Sequence, residues 1–257
     1  MLRLRSLGSG STGNATIIEA GRLRRRRLLV DCGLGPRVLE QRLLTAGLTL
    51  ADIDAVFVTH EHGDHIGCAH RIATEHRIPI WMSEGTWRAC GAPDYDGLLH
   101  LAGDGQRIDL GELELIPFAV PHDAQEPLQL RCSDGQQQLG VLTDLGHVSE
   151  AVRNHLIDCH TLLLECNHDR QLLADSSYPA FLKHRVGGDK GHLSNDQAAD
   201  LAGRLRGGHL RQVIAAHLSL KNNRPQLALQ SLEAALGGEV ELTVADARQG
   251  TNWVAVQ

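Results

Sequence analysis

The chain alternates between short apolar runs and longer stretches of mixed polarity, and this pattern predicts most of its secondary structure. The short runs are rich in leucine and β-branched residues and stand between glycine-rich turns, which is typical of strands. Strands are predicted at residues 15–19, 28–31, 55–59, 78–82, 113–120, 128–132, 139–143, 161–165, 213–216, 239–244 and 253–256. Helices are predicted at residues 36–46, 66–76, 149–159, 171–183, 197–206 and 225–236.

Two helix starts carry specific signals. Ser194 and Gln197 have the spacing of a capping box, and Pro225 suits a first helical turn with Asn223 or Arg224 as its cap. The predicted strands cluster in the first half, and helices lie between strands in both halves. The order predicts an α/β (α+β) protein with two mixed sheets flanked by helices. We expect a single domain over residues 1–257, because repeats, low-complexity tracts and linkers are absent from the sequence.

Composition narrows the class of protein. The chain has 257 residues, 42% hydrophobic and 22% charged, as in an ordinary globular protein. Apolar runs stay below the ~18 residues of a membrane span, and the N-terminus lacks a signal-peptide core. The 6 cysteines include no C-x-x-C pair, so we expect reduced thiols and a cytoplasmic location. The net charge of −6 argues against a generic basic coat for nucleic acid but permits a local basic site.

Histidine is the residue type that points to chemistry. The chain has 15 His but only 3 Trp, 2 Tyr and 3 Phe, and four potential metal ligands fall within residues 60–65, HEHGDH. His60 and His62 are spaced so that both side chains point to one side of an extended chain, while Asp64 and His65 must project differently. A rigid strand that delivers such residues to a loop gives a metal site fixed geometry. A histidine-rich solvent loop is the competing interpretation.

Three further potential ligands follow apolar strands later in the chain. His122 follows the run that ends at Val120, Asp144 follows the run that ends at Leu142, and His217 follows Ala216. Each alone is an ordinary strand-end residue. Their repeated placement at strand ends, together with the HEHGDH loop, favours ligation of more than one ion.

In this order the motifs resemble those of the metallo-β-lactamase superfamily, and the resemblance runs from Leu4 to about Val256. It implies a four-layer αβ/βα sandwich with two divalent ions, Zn or Mn, at one edge. The implied ligands of the first ion are His60, His62 and His122; those of the second are Asp64, His65 and His217; Asp144 bridges the two. Two ions ~3.5–4 Å apart can generate a bridging hydroxide and clamp a phosphodiester for in-line attack.

Further motifs narrow the resemblance to the phosphodiesterase branch, and within it to the YycJ/WalJ-like group, which is associated with 5′→3′ DNA exonuclease activity. These motifs are LGSGSTGN at residues 7–14, GHLS at 191–194, ECNHD at 165–169, and the LS and NN pairs after His217. The resemblance implies catalytic roles for Asp64 and for His192 as the acid, with Glu165 orienting that histidine. A helix-entry residue and a plain strand-end carboxylate are the alternatives for His192 and Glu165. The 73 positions from Asp144 to His217 leave no room for a large inserted cap domain.

Substrate contacts are assigned to polar residues of the same motifs: Ser9, Ser11, Asn14, His168, Ser194, Ser219, Asn222 and Asn223. The Ser9–Asn14 loop either cradles a phosphate or is a tight hairpin turn. The arginines at 22 and 24–27 are either a solvated hairpin tip or a phosphate contact. Lys183, Arg185, Lys190, Lys221 and Arg224 flank the proposed acid and last ligand. The scarcity of aromatic residues argues against a stacking platform for many bases.

The sequence therefore predicts a dinuclear metal-dependent phosphodiesterase. It is expected to be a nuclease whose partner is its nucleic-acid substrate, and DNA is the preferred candidate. A hydrolase of small cyclic or alkyl phosphodiesters on the same fold is the alternative; tRNA 3′-processing and thioester hydrolysis rank lower, because the tRNA-binding arm is missing and the His192 and Ser194 motif does not suit thioesters. A non-catalytic metal sensor would have an incomplete ligand set, and here the set is complete. No membrane association is predicted, and no protein partner can be inferred.

Overall fold

The computed structural model describes residues 1–22 and 24–257, and within these residues the strands form two seven-stranded mixed sheets. The first sheet has the order β14-β1-β2-β3-β4-β5-β6, and its strands are β1 (Leu2–Gly8), β2 (Ala15–Ala20), β3 (Arg26–Val30), β4 (Ala55–Phe57), β5 (Ile80–Met82), β6 (Leu99–Leu101) and β14 (Val254–Ala255). The second has the order β13-β12-β11-β10-β9-β8-β7, with β7 (Ile108–Asp109), β8 (Glu114–Ala119), β9 (Leu128–Ser133), β10 (Gln138–Leu142), β11 (Thr161–Glu165), β12 (Gln212–Ala216) and β13 (Glu241–Val244).

Helices connect and cover these strands. They are α1 (Pro36–Thr45), α2 (Gly63–Ile66), α3 (Ala69–His76), α4 (Glu84–Ala89), α5 (Glu150–Leu156), α6 (Arg170–Asp175), α7 (Ala180–Val186), α8 (Asn195–Leu205) and α9 (Pro225–Leu236). Both predicted helix starts are confirmed: Ser194 caps α8 with both bonds of its capping box, and Arg224 is the N-cap before Pro225 of α9. None of the helices in these described residues is long and apolar enough to cross a membrane.

Three apolar clusters hold the layers together. Leu4 and Ile18 of the first sheet meet Leu130 and Ile214 of the second between the sheets. The outer face of the first sheet packs on α1 and α3 through residues such as Leu39, Leu43 and Ile72. The outer face of the second packs on α5, α8 and α9 through residues such as Val152, Leu201 and Leu232. Burial of each such leucine stabilises the fold by about 1.5–3 kcal/mol before the entropy cost of ordering it. The predicted two sheets flanked by helices are confirmed.

Two predicted helices are each divided in the structure. The helix predicted at 66–76 corresponds to α3 and to the last residue of α2, and the two helices are separated at Gly67. Gly67 has a φ of 35°, and a Cβ at this position would overlap the carbonyl oxygen of Cys32. The helix predicted at 171–183 is α6 and α7. Ser176 is extended, and Pro179 disfavours helical backbone in the residue before it.

Several short elements were absent from the predicted list. These are β1, β6, β7 and α4. In β1 the sequence LRLRSLG alternates, with Leu2 and Leu4 buried and Arg3 and Arg5 partly exposed, so its period of two carried the signal. The two-residue β7 and three-residue β6 are too short for periodicity to reveal, and pairing with neighbouring strands defines them.

Parallel strands bring their carboxyl ends to one edge of each sheet. β3, β4, β5 and β6 are parallel in the first sheet, and β10, β11, β12 and β13 are parallel in the second. Loops at the carboxyl ends of such strands are the usual place for binding sites in α/β proteins. Chain segments that leave β3, β4, β10, β11 and β12 therefore meet at one edge of the sandwich.

Candidate metal centre

Three histidine nitrogens converge beyond the end of β4. Nε2 of His60 lies 3.1 Å from Nδ1 of His62, and Nε2 of His122 lies 3.3 Å from the same His62 nitrogen. The backbone carbonyl of Gly191 accepts a hydrogen bond from Nδ1 of His122 at 3.0 Å, so Nε2 of that ring faces the other two histidines. These three rings are the set predicted for the first ion, and the fold brings them together from positions 60 residues apart.

A second set lies beside the first. Oδ2 of Asp64 is 3.7 Å from Nε2 of His65 and 3.6 Å from Nε2 of His217. Asp31, which follows β3, accepts a hydrogen bond from Nδ1 of His65 at 2.7 Å. The amide of Asn14 donates to the backbone carbonyl of Asp64 at 3.2 Å and so holds the loop that carries the ligand.

Asp144 lies between the two sets. Its Oδ2 is 3.0 Å from Nε2 of His65 in one set, and its Oδ1 is 4.0 Å from Nε2 of His122 in the other. The carboxylate is 2% exposed. A carboxylate between the two sets could contact ions held by both, and the bridging role that the motif resemblance assigns to Asp144 stays a prediction.

Three of these strand-end residues have a left-handed backbone conformation, which sets the direction of their side chains. Asp31, Asp144 and His217 have φ values of 62°, 57° and 55°. Such a conformation costs a non-glycine residue about 1 kcal/mol or more and persists only where the surroundings enforce it. For His217 the enforcing contact includes its own N–H, which donates to Oγ of Ser9 at 2.8 Å.

A single carboxylate oxygen joins the candidate acid to a candidate ligand. Oε1 of Glu165, at the end of β11, accepts a hydrogen bond from Nδ1 of His192 and another from Nδ1 of His217, each at 2.9 Å. Its Oε2 accepts from the backbone N–H groups of Leu193 and Leu145 at 2.9 and 3.2 Å. Glu165 therefore orients both rings, the role predicted for it toward His192.

Buried carboxylates give this region a strong preference for positive charge. Burial opposes ionisation of Glu165, but His192 and His217 outweigh burial and lower its pKa to about 2. Burial likewise favours neutral His217, yet Asp144, Asp64 and Glu165 raise its pKa to about 10. Burial and the neighbouring His65 lower the pKa of His60 well below its ordinary value, so that ring is neutral and able to bind a cation.

The residues present fit bound divalent metal. Four groups of three or four histidine and carboxylate side chains bring ligand atoms within 4.8 Å of one another, and they share members: His60, His62 and His122; Asp64, His65 and His217; His60, His65 and Asp144; Asp144, Glu165, His192 and His217. Nε2 of His217 is buried without a hydrogen-bond partner among the described residues. A buried polar atom normally has a partner, and a metal ion bound at this nitrogen would supply one. Imidazole and carboxylate donors suit Zn or Mn.

A cleft of about 330 Å³ opens over the site, and the predicted substrate contacts divide around it. Ser11, Ser219 and Asn222 line the cleft. Four others are buried against the chain itself: Ser9 and Asn14 in the contacts above, Ser194 as the cap of α8, and Asn223 in a pair of amide bonds with Asn195. Their contacts position the site, and the hypothesis that they touch substrate stays a prediction.

His168 is placed behind the cleft rather than in its lining. Its side chain is 3% exposed, and burial lowers its pKa to about 4. Its Nδ1 has no hydrogen-bond partner among the described residues. Its backbone pairs with that of Ser194 in a short parallel bridge, so the ring lies at the start of α8.

Other residues near the centre were not predicted. Asp31 had the signal that identified the ligands, a carboxylate at the end of an apolar strand, and its Oδ1 also accepts from Thr59 N–H at 2.8 Å. Asp123, Tyr178 and Arg185 also line the cleft, but only Arg185 had been noted, as one of several flanking basic residues.

Three arginines of the cluster at residues 22 and 24–27 form ion pairs within the protein. Glu19 is 2% exposed and forms ion pairs with Arg3, Arg25 and Arg27 at 2.6, 3.3 and 2.7 Å. Arg26 pairs with Asp54 at 2.7 Å. These contacts give Arg25, Arg26 and Arg27 a structural role that neither interpretation drawn from the sequence included. For Arg22 and Arg24 both interpretations stay predictions.

Comparison with known proteins agrees with the fold. Residues 26–218 match the model of the β-lactamase superfamily domain. The exodeoxyribonuclease WalJ of Streptococcus pneumoniae (strain D39) is 32% identical over 255 residues, covering 95% of this chain and 94% of that protein. The exodeoxyribonuclease YycJ of Bacillus anthracis is 32% identical over 235 residues, covering 90% and 87%.

Solved structures share the whole architecture. The metallo-β-lactamase fold protein YhfI from Bacillus subtilis superposes with a TM-score of 0.77 at 18% identity, over 99% of this chain and 100% of that one. Its likeness concerns the fold. The family model and the two relatives together assign the protein: the chain belongs to the metallo-β-lactamase superfamily and, within it, to the family of the WalJ and YycJ exodeoxyribonucleases.

Proposed function

We propose that this protein is a metal-dependent nuclease that hydrolyses phosphodiester bonds of DNA from a 5′ end. The observation that carries the proposal is the arrangement around Asp144, where two ligand sets meet at one buried carboxylate beside a histidine held by Glu165. Its relatives WalJ and YycJ are named exodeoxyribonucleases, which supports DNA as the substrate. The direction of attack rests on the motif resemblance.

His60, His62 and His122 would hold one ion, Asp64, His65 and His217 a second, and Asp144 both. Two bound divalent ions would supply an activated water as nucleophile and would neutralise negative charge on the phosphoryl oxygens. Zn and Mn both suit these donors, and two ions per chain is the stoichiometry we propose.

The protein's own residues then manage the leaving group. His192 directs Nδ1 to Glu165, which leaves Nε2 as the ring atom able to serve the cleft that the residue lines. A proton at Nε2 can pass to the leaving oxygen, and Glu165 stabilises the protonated ring from the opposite side. Asp64 contributes to catalysis by positioning: it joins the ligand loop to His217.

The first test is metal dependence of DNA cleavage. Protein stripped of metal and reloaded with Mn²⁺ or Zn²⁺ should degrade a 5′-phosphorylated oligonucleotide only after reloading, with two ions bound per chain. His62→Ala should remove turnover, because it removes a ligand at the centre of the first set. Full activity of the stripped protein would contradict the proposal.

The second test separates DNA from smaller substrates. The cleft of about 330 Å³ has the size of one nucleotide, which also suits a small cyclic or alkyl phosphodiester. Turnover should be compared on an oligonucleotide labelled at either end, its RNA counterpart and a cyclic mononucleotide. Stepwise release of mononucleotides from the 5′ end of DNA is expected, and a preference for the cyclic compound would favour the alternative.

We infer further that residues 1–257 form one domain without an inserted cap. The interval between Asp144 and His217 consists of α5 to α8 with β11 and β12, and residues from both sheets share one apolar cluster. A single cooperative unfolding transition by two optical probes is expected, and two separate transitions would contradict the inference.

A further inference from the structure

One wall of the cleft is a helix that the rest of the protein covers only in part. None of the residues of α7 is buried. Phe181, on this helix, is 74% exposed, the largest value among the exposed large hydrophobic side chains of the described residues. An exposed aromatic ring on a helix that lines the cleft leaves apolar surface in contact with water, and exposed apolar surfaces often mark binding sites.

The helical spacing places this ring beside the cleft. Leu182 and Val186, four residues apart, both line the cleft, and so does Arg185. Phe181 is four residues before Arg185 and therefore shares its face of α7. Tyr178, two residues before the helix, also lines the cleft, so aromatic and apolar side chains continue from the cleft onto the exposed face.

The same segment concentrates a scarce residue type. The chain has only 2 Tyr and 3 Phe, and one of each lies within these four positions. The other three are Phe57, Phe118 and Tyr95, and all are buried in the apolar clusters. Of the Tyr and Phe residues, the two that are not buried are therefore Tyr178, which lines the cleft, and Phe181, on the helix beside it.

Positive charge surrounds these rings although the protein as a whole is acidic. Lys183 and Arg185 lie in the last turn of α7, and Nζ of Lys221 lies 5.4 Å from the ring centroid of Tyr178. Arg185 pairs with Asp123 at 2.6 Å, an exchangeable partner because the arginine side chain is 60% exposed. Aromatic faces combined with cations along one groove are the features that bind single-stranded nucleic acid.

We propose that residues 178–185 form a binding wall for the unpaired end of a DNA strand, in which Tyr178 and Phe181 stack against bases and Arg185 contacts the backbone phosphates. This inference rests on the proposed function, since it supplies the strand whose phosphodiester reaches the metal centre. The wall explains how a protein with few aromatic residues still holds a single strand: it places two of them where the strand enters. Because stacking accepts every base, the wall gives little sequence preference.

The test measures whether the bases of the substrate matter through this wall. Kinetics with Mn²⁺ should be compared for a 5′-phosphorylated single strand and for the same strand with abasic sites at its first three nucleotides. For the wild-type protein the abasic strand should have a KM about five-fold or more higher, since loss of one stacked base gives at least that change. For the double variant Tyr178→Ala, Phe181→Ala the two strands should differ by less than two-fold. Ile157→Ala, which removes another exposed hydrophobic side chain (53%) at the end of α5, should retain the wild-type difference.

Three results would contradict the binding wall, and a fourth would contradict the proposed nuclease function. An equal KM for the two strands in the wild-type protein, or an undiminished difference in the double variant, would overturn the wall. A wild-type dimer that becomes monomeric in Phe181→Ala, with an unchanged difference between strands, would assign the exposed ring to a second copy of the chain and overturn it too. Failure of wild-type protein to cleave any DNA, with cleavage of a small diester intact, would instead overturn the proposed function on which the wall rests.

Discussion

The carboxylate of Asp31 accepts a hydrogen bond from Nδ1 of His65 at 2.7 Å, and this contact decides which nitrogen of the ring faces the candidate metal centre. With Nδ1 fixed, Nε2 lies 3.0 Å from Asp144. Both side chains are almost fully buried, at 3% and 0% exposed, so the contact is protected from competing water. A carboxylate behind a ligating histidine fixes its tautomer and raises its basicity.

Asp31→Asn is expected to weaken metal binding without unfolding the protein. Asparagine has the same shape and tolerates the left-handed backbone at this position, where φ is 62°. The amide lacks the charge that stabilises the ligating form of His65, so metal affinity should fall about 10- to 100-fold. Competition with a chromogenic chelator measures this, and affinity within two-fold of wild type would show that Asp31 does not orient the ligand.

His192→Gln is expected to slow the step that needs a proton while metal content stays unchanged. Loss of a general acid should lower kcat on DNA by about 100- to 10,000-fold. On bis(4-nitrophenyl) phosphate the fall should be much smaller, because nitrophenolate leaves without a proton. Equal losses on both substrates would exclude the acid role.

Glu165→Gln is expected to impair metal binding as well as turnover, in contrast to His192→Gln. Since one oxygen of Glu165 serves both His192 and His217, its loss should reduce activity on both substrates and weaken metal binding as well. Metal analysis after dialysis should show the deficit for Glu165→Gln alone.

Gly33→Ala is expected to disturb the second ligand set through the backbone. A Cβ at Gly33 would overlap the carbonyl oxygen of Asp64, which accepts the N–H of Asn14 at 2.8 Å. Backbone cannot rotate out of the way, so the ligand loop must shift, and kcat should fall at least ten-fold, the loss that a 1 Å misplacement readily gives. Gly35→Ala is the matched control, because a Cβ there meets no atom within 4 Å, and it should keep full activity.

Arg185→Ala is expected to weaken DNA binding in a salt-dependent manner. If Arg185 leaves Asp123 to contact one phosphate, its loss should raise KM and reduce the slope of log KM against log salt by about 0.7. Arg206→Ala removes another exposed arginine, paired with Glu239 just before β13 and so at the opposite edge of the sheet, and should change neither quantity. An unaltered salt slope in Arg185→Ala would show that Arg185 does not contact a phosphate.

Glu19→Gln is expected to lower stability rather than activity. The buried carboxylate pairs with Arg3, Arg25 and Arg27. Its loss takes that partner from all three and leaves Arg27 with the longer pair to Asp52 at 3.6 Å. The free energy of unfolding should fall by about 3 kcal/mol, measured by denaturant titration, with kcat of the folded protein unchanged. Stability within 0.5 kcal/mol of wild type would show that the cluster is only a solvated hairpin tip.

The sequence by itself determined the ligand types and their placement at strand ends. HEHGDH after an apolar run, followed by His122, Asp144 and His217 after later runs, fixed the order of the candidate ligands, because alternating strands and turns are local properties. The same local signals gave the caps of α8 and α9. They also gave the alternation of β1, which the list of predicted strands omitted.

The tertiary structure decided which of these side chains meet. The proximity of Asp64 to His217 and the position of Asp144 between two ligand sets depend on how the two sheets stack. The shared oxygen of Glu165 depends on the pairing of β11 with β12 within the second sheet. It also separated residues that look equivalent in the motifs: Ser11 lines the cleft, whereas Ser9 holds the backbone of His217. Pairing between distant strands is set by the burial of the whole apolar core and by parallel crossovers, and a sequence pattern records neither the stacking nor the distance across it.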